Sequence, residues 1–475
     1  MADKENTASW SELLSGRNGL RTIALAGGVA LHAINVYIVA TILPSVVQDI
    51  GGLAYYAWNM TLFVMASIFS SALSPKLLDR FGPRRAFQLA ILAFTLGTAL
   101  CASAPSMAFM LAGRTLQGFG GGLLLGLSYS SIRLVFAERL WPKSMALLSS
   151  MWGVATLSGP ALGGMFAEAG HWRWSFWSVV VVAALLALLV QSQIALKTSQ
   201  PKTEAVRVPL TQIGLMLVSV LFISVAGLQS SVFWNLLGVL LGLLTIIVMA
   251  RLDQRSATRL MPNGSYRLAG LGSLYACVAL MGAAITVEIF VPYFLQGLQG
   301  HSPLVAGYMG ALMSAGWTIG SVTSSSRSEA TAGHYMNAGP VICALGLMGL
   351  GMVFFVSQPD QLTPAVFWLT FPALLAIGLG IGVCWPHLLT QVFKIAPAGQ
   401  ENMASSAIIT VQLYAMALGA AIGGMVTNAA GFTNPGGLEG TRHAALALLW
   451  VFALAPGAAI FFMTRTVRSR VRLDT

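Results

Sequence analysis

The sequence predicts an all-α integral membrane protein, built as two six-helix bundles with two extra helices between them, about 14 transmembrane helices in all. Three observations carry this expectation. Apolar residues make up 56% of the 475-residue chain and charged residues only 9%, and mean hydropathy is strongly positive. The apolar residues fall in runs of about 20, the length an α-helix needs to cross a hydrocarbon core of roughly 30 Å. Two of these runs repeat each other, Gly159-Pro160-Ala161-Leu162-Gly163-Gly164-Met165 and Gly419-Ala420-Ala421-Ile422-Gly423-Gly424-Met425. Lipid offers the backbone no hydrogen bonds, so only helices and closed barrels span it, and the alternating pattern of a barrel strand is absent.

In chain order, a cytoplasmic segment 1–21 precedes a first bundle, 22–196, with spans near 23–47, 57–73, 86–102, 107–136, 145–166 and 174–196. A linker, 197–267, opens on the polar hinge 197–204, carries two spans near 210–228 and 232–250, and ends in a basic stretch from Arg251 to Arg267. The second bundle, 268–464, holds spans near 271–295, 304–322, 338–356, 365–392, 403–426 and 444–463, and a tail, 465–475, follows. The glycine repeat matches the fifth span to the thirteenth. The halves are therefore related by eight helices, which makes the seventh and eighth an insertion.

Orientation follows from the positive charges, which are retained on the cytoplasmic side of short loops. With the amino terminus inside, every lysine and arginine except Arg114, Arg173 and Arg442 falls in an inner segment. Both termini are then expected to be cytoplasmic, in the inner membrane. The formal net charge of +11 reads as topology marking and contact with anionic lipid, and nucleic acid is not an expected partner. The polar amino terminus offers no cleavage site before the first span, so a removable signal peptide is not expected.

Several chemistries are excluded. The four cysteines, Cys101, Cys277, Cys343 and Cys384, lie in apolar spans without metal-ligand spacing, and the six histidines form no H-x-x-x-H pair. No Gly-Lys pair exists from which a phosphate-binding loop could be built. No cofactor, metal or enzyme activity is expected, and an ion gradient is the expected source of energy.

The informative residues are polar ones at membrane depth. Arg114 lies two turns into the fourth span beside Gln117 and ahead of Gly118, Gly120, Gly121 and Gly122. An arginine at depth costs about 2.5 to 3.5 kcal/mol on insertion scales, so it should face a wet cavity or a partner. Glu288 is the only acid well inside a span, where desolvation favours its protonated form and suits it to carry a proton. His32 and Asn35 share a face of the first span and, with Asn59 in the second, could line a polar cavity or bond helices together. Trp152, Trp317, Trp385 and His387 sit near helix centres, where aromatic rings stack on flat substrates or pack the core. In the fifth span Gly153, Gly159, Gly163 and Gly164 surround Pro160, giving close approach and a bend. The turn Pro75 to Arg85 sets Asp79 among bases, where it can pair with an arginine and latch two helix ends.

The turn around Asp79, with Arg80, Gly82, Arg84 and Arg85, resembles the signature between the second and third helices of the major facilitator superfamily. Arg114, Gln117 and Gly118 are similar to its fourth-helix signature, and Gly159-Pro160-x-x-Gly163-Gly164 to its fifth-helix antiporter signature. His171-Trp172-Arg173-Trp174 and the inserted pair resemble the fourteen-helix branch that includes drug:proton antiporters. The resemblance implies alternating access, Asp79, Arg80, Gly82 and Arg84 as a cytoplasmic latch, and Gly159, Pro160, Gly163 and Gly164 as a moving helix. It also implies a small organic substrate, amphipathic or aromatic, with proton-coupled efflux. No oligomer is required. Three departures stand out. Asn35 and Tyr37 occupy the positions of the branch's usual Asp and Thr, Pro75 replaces the first glycine of the cytoplasmic loop, and the second-half loop around Ser324 to Glu329 is degenerate. These departures make dedicated uptake of a metabolite or vitamin, for example a flavin such as riboflavin, the alternative expectation.

Overall fold

The computed structural model describes residues 9–194, 208–229, 231–268, 270–325, 329–357 and 363–471. The hinge 197–204 and the junction expected at 196/197 lie outside the described residues, as do the first residues of segment 1–21, the end of the tail 465–475, and residues 326–328 of the degenerate loop. Among the described residues there is no strand.

The helices are α1 (Trp10–Leu14), α2 (Gly16–Ile50), α3 (Trp58–Ala102), α4 (Met107–Val135), α5 (Trp141–Glu168), α6 (Arg173–Gln193), α7 (Leu210–Ala226), α8 (Val232–Arg255), α9 (Leu271–Ala284), α10 (Val291–Gln299), α11 (Pro303–Ser325), α12 (Glu329–Val356), α13 (Pro364–Ile395), α14 (Glu401–Ala429) and α15 (Gly437–Val471). The second and third spans run together as α3, broken at Gly82, whose φ of 75° and ψ of 167° no helix contains. Glycine reaches that backbone without a Cβ penalty, and Pro83 follows it. The ninth span is discontinuous: a 3-10 turn, Ile285–Ile289, separates α9 from α10.

Among the described residues, ten helical segments are long and apolar enough to cross a membrane. The expected count of about 14 is larger for identifiable reasons. Segment Leu53–Ala102 holds two expected spans, α7 is only 17 residues long, α4 carries Arg114, Gln117 and a run of glycines that lower its hydropathy, and α11 is diluted by Gly, Ser and Thr.

The chain forms two compact units: residues up to Val39 with Leu62–Val208, and Ala40–Thr61 with Pro209–Thr475. α7 and α8, expected as an insertion in a linker 197–267, thus fall in the second unit, and so does the connection between α2 and α3. In the first unit, α4 is threaded between the two arms of α3. A Cβ at Gly118 or Gly122 would strike the backbone of Phe63 or Ser67 on one arm, and a Cβ at Gly120 would strike Phe94 on the other. The second unit repeats the arrangement with α13 between α11 and α12. There Gly378 and Gly382 meet the backbone of Met313 and Trp317, and Gly380 meets Cys343. These glycines lie at the same sequence separation as Gly159 and Gly419, so the duplication extends through both threaded helices. All four cysteines are free and buried, as small core residues should be.

The second unit also holds an acid that sequence reasoning left in the basic stretch. Asp253, at the end of α8, is fully buried. Its carboxylate accepts from Leu260 N at 2.6 Å, Met261 N at 3.2 Å, the Tyr266 hydroxyl at 2.8 Å and Gln212 Nε2 at 3.4 Å. Burial and this carboxylate push the Tyr266 hydroxyl pKa upward, which keeps it a donor. Four donors on one carboxylate turn the linker after α8 into an ordered structure.

Candidate functional site

In the first unit the structure gathers four of the expected polar residues. Arg114 is fully buried on α4, two turns after the Ser106 N-cap. Its Nη1 donates to Asn35 Oδ1 on α2 and to Gln117 Oε1 on its own helix, and its guanidinium lies 4.1 Å from the centre of the Phe63 ring. Gln117 passes the chain on, donating from Nε2 to Thr98 Oγ1 at 2.8 Å, and Thr98 donates to Phe94 O at 2.7 Å. His32, one turn before Asn35, has its ring 5.1 Å from Phe63 and 5.9 Å from Trp152, and its buried Nδ1 has no hydrogen-bond partner. Gly121 leaves room for that nitrogen, since a Cβ there would stand 2.9 Å from it.

The result is a buried cation held by two neutral amides and walled by aromatic rings. Among the described residues Arg114 is the one lysine or arginine that is fully buried, and Asp253, the one buried aspartate, lies in the other unit. A guanidinium offers a planar fork of donors and an aromatic-stacking face, both suited to a flat polar molecule. Phe63 and Thr98 were missed from sequence. No sequence signal marks Phe63, whose backbone Gly118 admits only once the helices are packed.

Asn59 belongs to the other compact unit. There its Nδ2 donates to the carbonyls of Tyr55 and Tyr56, each at 3.4 Å, and so caps its own turn. Glu288 sits in the 3-10 turn between α9 and α10, half-buried, with no hydrogen bond or ion pair among the described residues. Pro292 lacks the N–H that would take the Glu288 carbonyl four residues back, which accounts for the break at this acid. On α13, Trp385 meets Trp317 edge-on at 5.0 Å. His387 stacks on Tyr335 at 5.5 Å, its buried Nε2 without a partner.

The turn around Gly82 differs from expectation in one respect. Asp79 is exposed and, among the described residues, pairs with no arginine; in high dielectric an isolated exposed pair contributes little. Arg80 lies over Phe81 at 5.4 Å, and Arg84 Nε donates to Ile194 O at the end of α6, 2.7 Å away. On α5, Gly159 and Pro160 are buried, as are Gly163 and Gly164. Gly159 is where α5 and α2 touch, since a Cβ there would strike Tyr37. Gly153 faces open space and takes no part in close packing, so the expected glycine face is shorter than the sequence suggests. Among the described residues no cluster of three metal-ligating groups exists.

The comparisons with known proteins agree with this geometry. Of the solved structures, the POT family transporter PepTSo is similar at a TM-score of 0.65 and 15% identity, covering 94% of this chain and 98% of that one. A mutant form of the nucleoside transporter NupG is similar at 0.65 and 13%, covering 94% and 99%. Both likenesses concern the fold. A probable multidrug-efflux transporter of Mycobacterium tuberculosis strain H37Rv is 38% identical over 431 residues, 89% of this chain and 90% of that protein. Multidrug resistance protein 3 of Bacillus subtilis is 25% identical over 87% and 80%. The model of the Major Facilitator Superfamily matches residues 25–424. A glycine-threaded helix repeated in two halves and a buried arginine at membrane depth therefore have their family: the chain belongs to the Major Facilitator Superfamily, transporters of small organic molecules and not enzymes.

Proposed function

We propose that the protein exports a small amphipathic or aromatic organic compound across the inner membrane by alternating access, in exchange for protons. The observation that carries this reading is the Arg114 group, in which a buried guanidinium, two amides and the rings of Phe63, His32 and Trp152 converge on one place. A fixed positive charge favours neutral or anionic aromatics over organic cations. Glu288 is the proton carrier, since it is an acid at depth with no partner to fix its charge state. Fourteen spans with both termini cytoplasmic complete the arrangement. Asp79 latches the basic end in another conformational state, and the bend at Pro160 moves α5. The high similarity to a relative named for multidrug efflux supports the outward direction.

The reading is tested with inverted membrane vesicles and three fluorescent probes: a neutral aromatic, an anionic amphipath and a cationic dye. Energised vesicles are expected to accumulate the first two, and Arg114→Ala to reduce that accumulation at least about tenfold with the protein still folded. Accumulation of the cation alone, indifferent to Arg114→Ala, overturns it. Asn35, a neutral residue where the fourteen-helix branch carries an acid, favours the second reading, dedicated uptake. Faster entry of a flavin into intact cells carrying the gene than into cells without it would select that reading.

A further inference from the structure

α7 and the linker after α8 attach to α14 and its N-cap at three places. Near its start, Asn263 N donates to the side chain of Gln400 at 2.8 Å. Midway, Ser219 on α7 and Tyr414 share a hydrogen bond of 2.7 Å. At the far end, Gly227, the C-cap of α7, packs against Met425, and its carbonyl accepts from Asn428 Nδ2 at 3.0 Å. Asp253 makes the lowest of these attachments firm, because it orders the linker that carries Asn263.

The same Asn428 amide also donates to the carbonyl of Ala54 at 3.1 Å. Ala54 belongs to the segment joining α2 to α3, which lies in the second unit and is attached there twice more. Tyr56, 1% exposed, stacks on Phe290 at 5.2 Å, meets Tyr293 and Phe432 edge-on, and donates its hydroxyl to Ile289 O at 3.2 Å. Ala57 fits against Gly424, where a Cβ would stand 2.8 Å from it. One half-buried side chain thus joins an α7 carbonyl to a segment whose other anchor is the carbonyl next to Glu288.

We infer that Asn428 is a positioning residue of the transport cycle, through which α7, with the linker after α8, braces the segment 52–61 against the second unit. Together they are a splint on α14 with a mechanical task. Release of this segment from the rest of the second unit requires Asn428 to let go of Ala54, and the splint sets how readily α14 allows it. The inference rests on alternating access but is independent of which compound is carried.

The test uses the full-length protein in proteoliposomes with Thr61→Cys as reporter, since Thr61, the last residue of this segment, is 1% exposed and the four native cysteines are buried. Labelling by a membrane-impermeant maleimide without substrate reads opening alone. Asn428→Ala is expected to raise the labelling rate about fivefold or more, because two hydrogen bonds are lost. Tyr414→Phe, which keeps its ring and is remote from the segment, is expected to raise it about twofold, with a thermal midpoint close to that of the parent. Unchanged labelling in Asn428→Ala overturns the role of Asn428. A rise there with none in Tyr414→Phe overturns the splint.

Discussion

The helices α4 and α13 occupy the same place in the two halves of the duplication, yet one buries an arginine and the other does not. Their glycines correspond, Gly118 to Gly378, Gly120 to Gly380 and Gly122 to Gly382, and each set admits the backbones of two neighbouring helices. At the same separation Arg114 corresponds to Leu374 and Gln117 to Ile377, and both of these are fully buried. Even the partner glycine is kept, Gly97 facing Gln117 in one unit and Gly346 facing Ile377 in the other. Glycine positions are fixed by backbone approach, which both halves need. The positions just ahead of them are free to differ: the first unit buries a charge there, whereas the acid of the second unit, Glu288, lies in a broken helix elsewhere.

The most severe way to break the comparison is to force the second half to imitate the first. Leu374→Arg puts a guanidinium where no Asn35 or Gln117 awaits it, and an uncompensated buried charge costs several kcal/mol. Loss of the monodisperse peak in size-exclusion chromatography is expected, and a well-folded variant would mean that the α13 surroundings are wetter than described. A smaller effect sharpens the glycine argument. Gly118→Ala drives a Cβ into the Phe63 carbonyl and should destabilise by about 1 to 3 kcal/mol, the usual range for overpacking. Gly153→Ala meets nothing and should be neutral or stabilising by up to about 1 kcal/mol, as Ala replaces Gly in a helix. Thermal unfolding in detergent compares the two, and equal shifts would contradict the assignment of Gly118 to a helix crossing.

Much of this was legible in the sequence because lipid enforces simple rules. Run length marks the helices, and the burial cost of a charge singles out Arg114 and Glu288. What escaped notice depended on partners distant in the chain. Asp253 looked like one acid in a basic stretch, because nothing local reveals that four donors close over it. Asn428 and Tyr56 carry no charge and break no periodicity, so their importance appears only once Ala54, Gly227 and Ile289 are beside them. The break at Glu288 was written in Pro292, four residues on, but only as a missing donor.

The proposed function makes one claim above the rest, that the acid of the second unit moves the proton. Purified Glu288→Gln protein in proteoliposomes, with internal pH followed as substrate is added, tests it directly. The account predicts that substrate-driven proton flux disappears while substrate-for-substrate exchange persists, because Gln keeps the shape of the side chain and cannot titrate. Proton flux equal to that of the parent protein would contradict it.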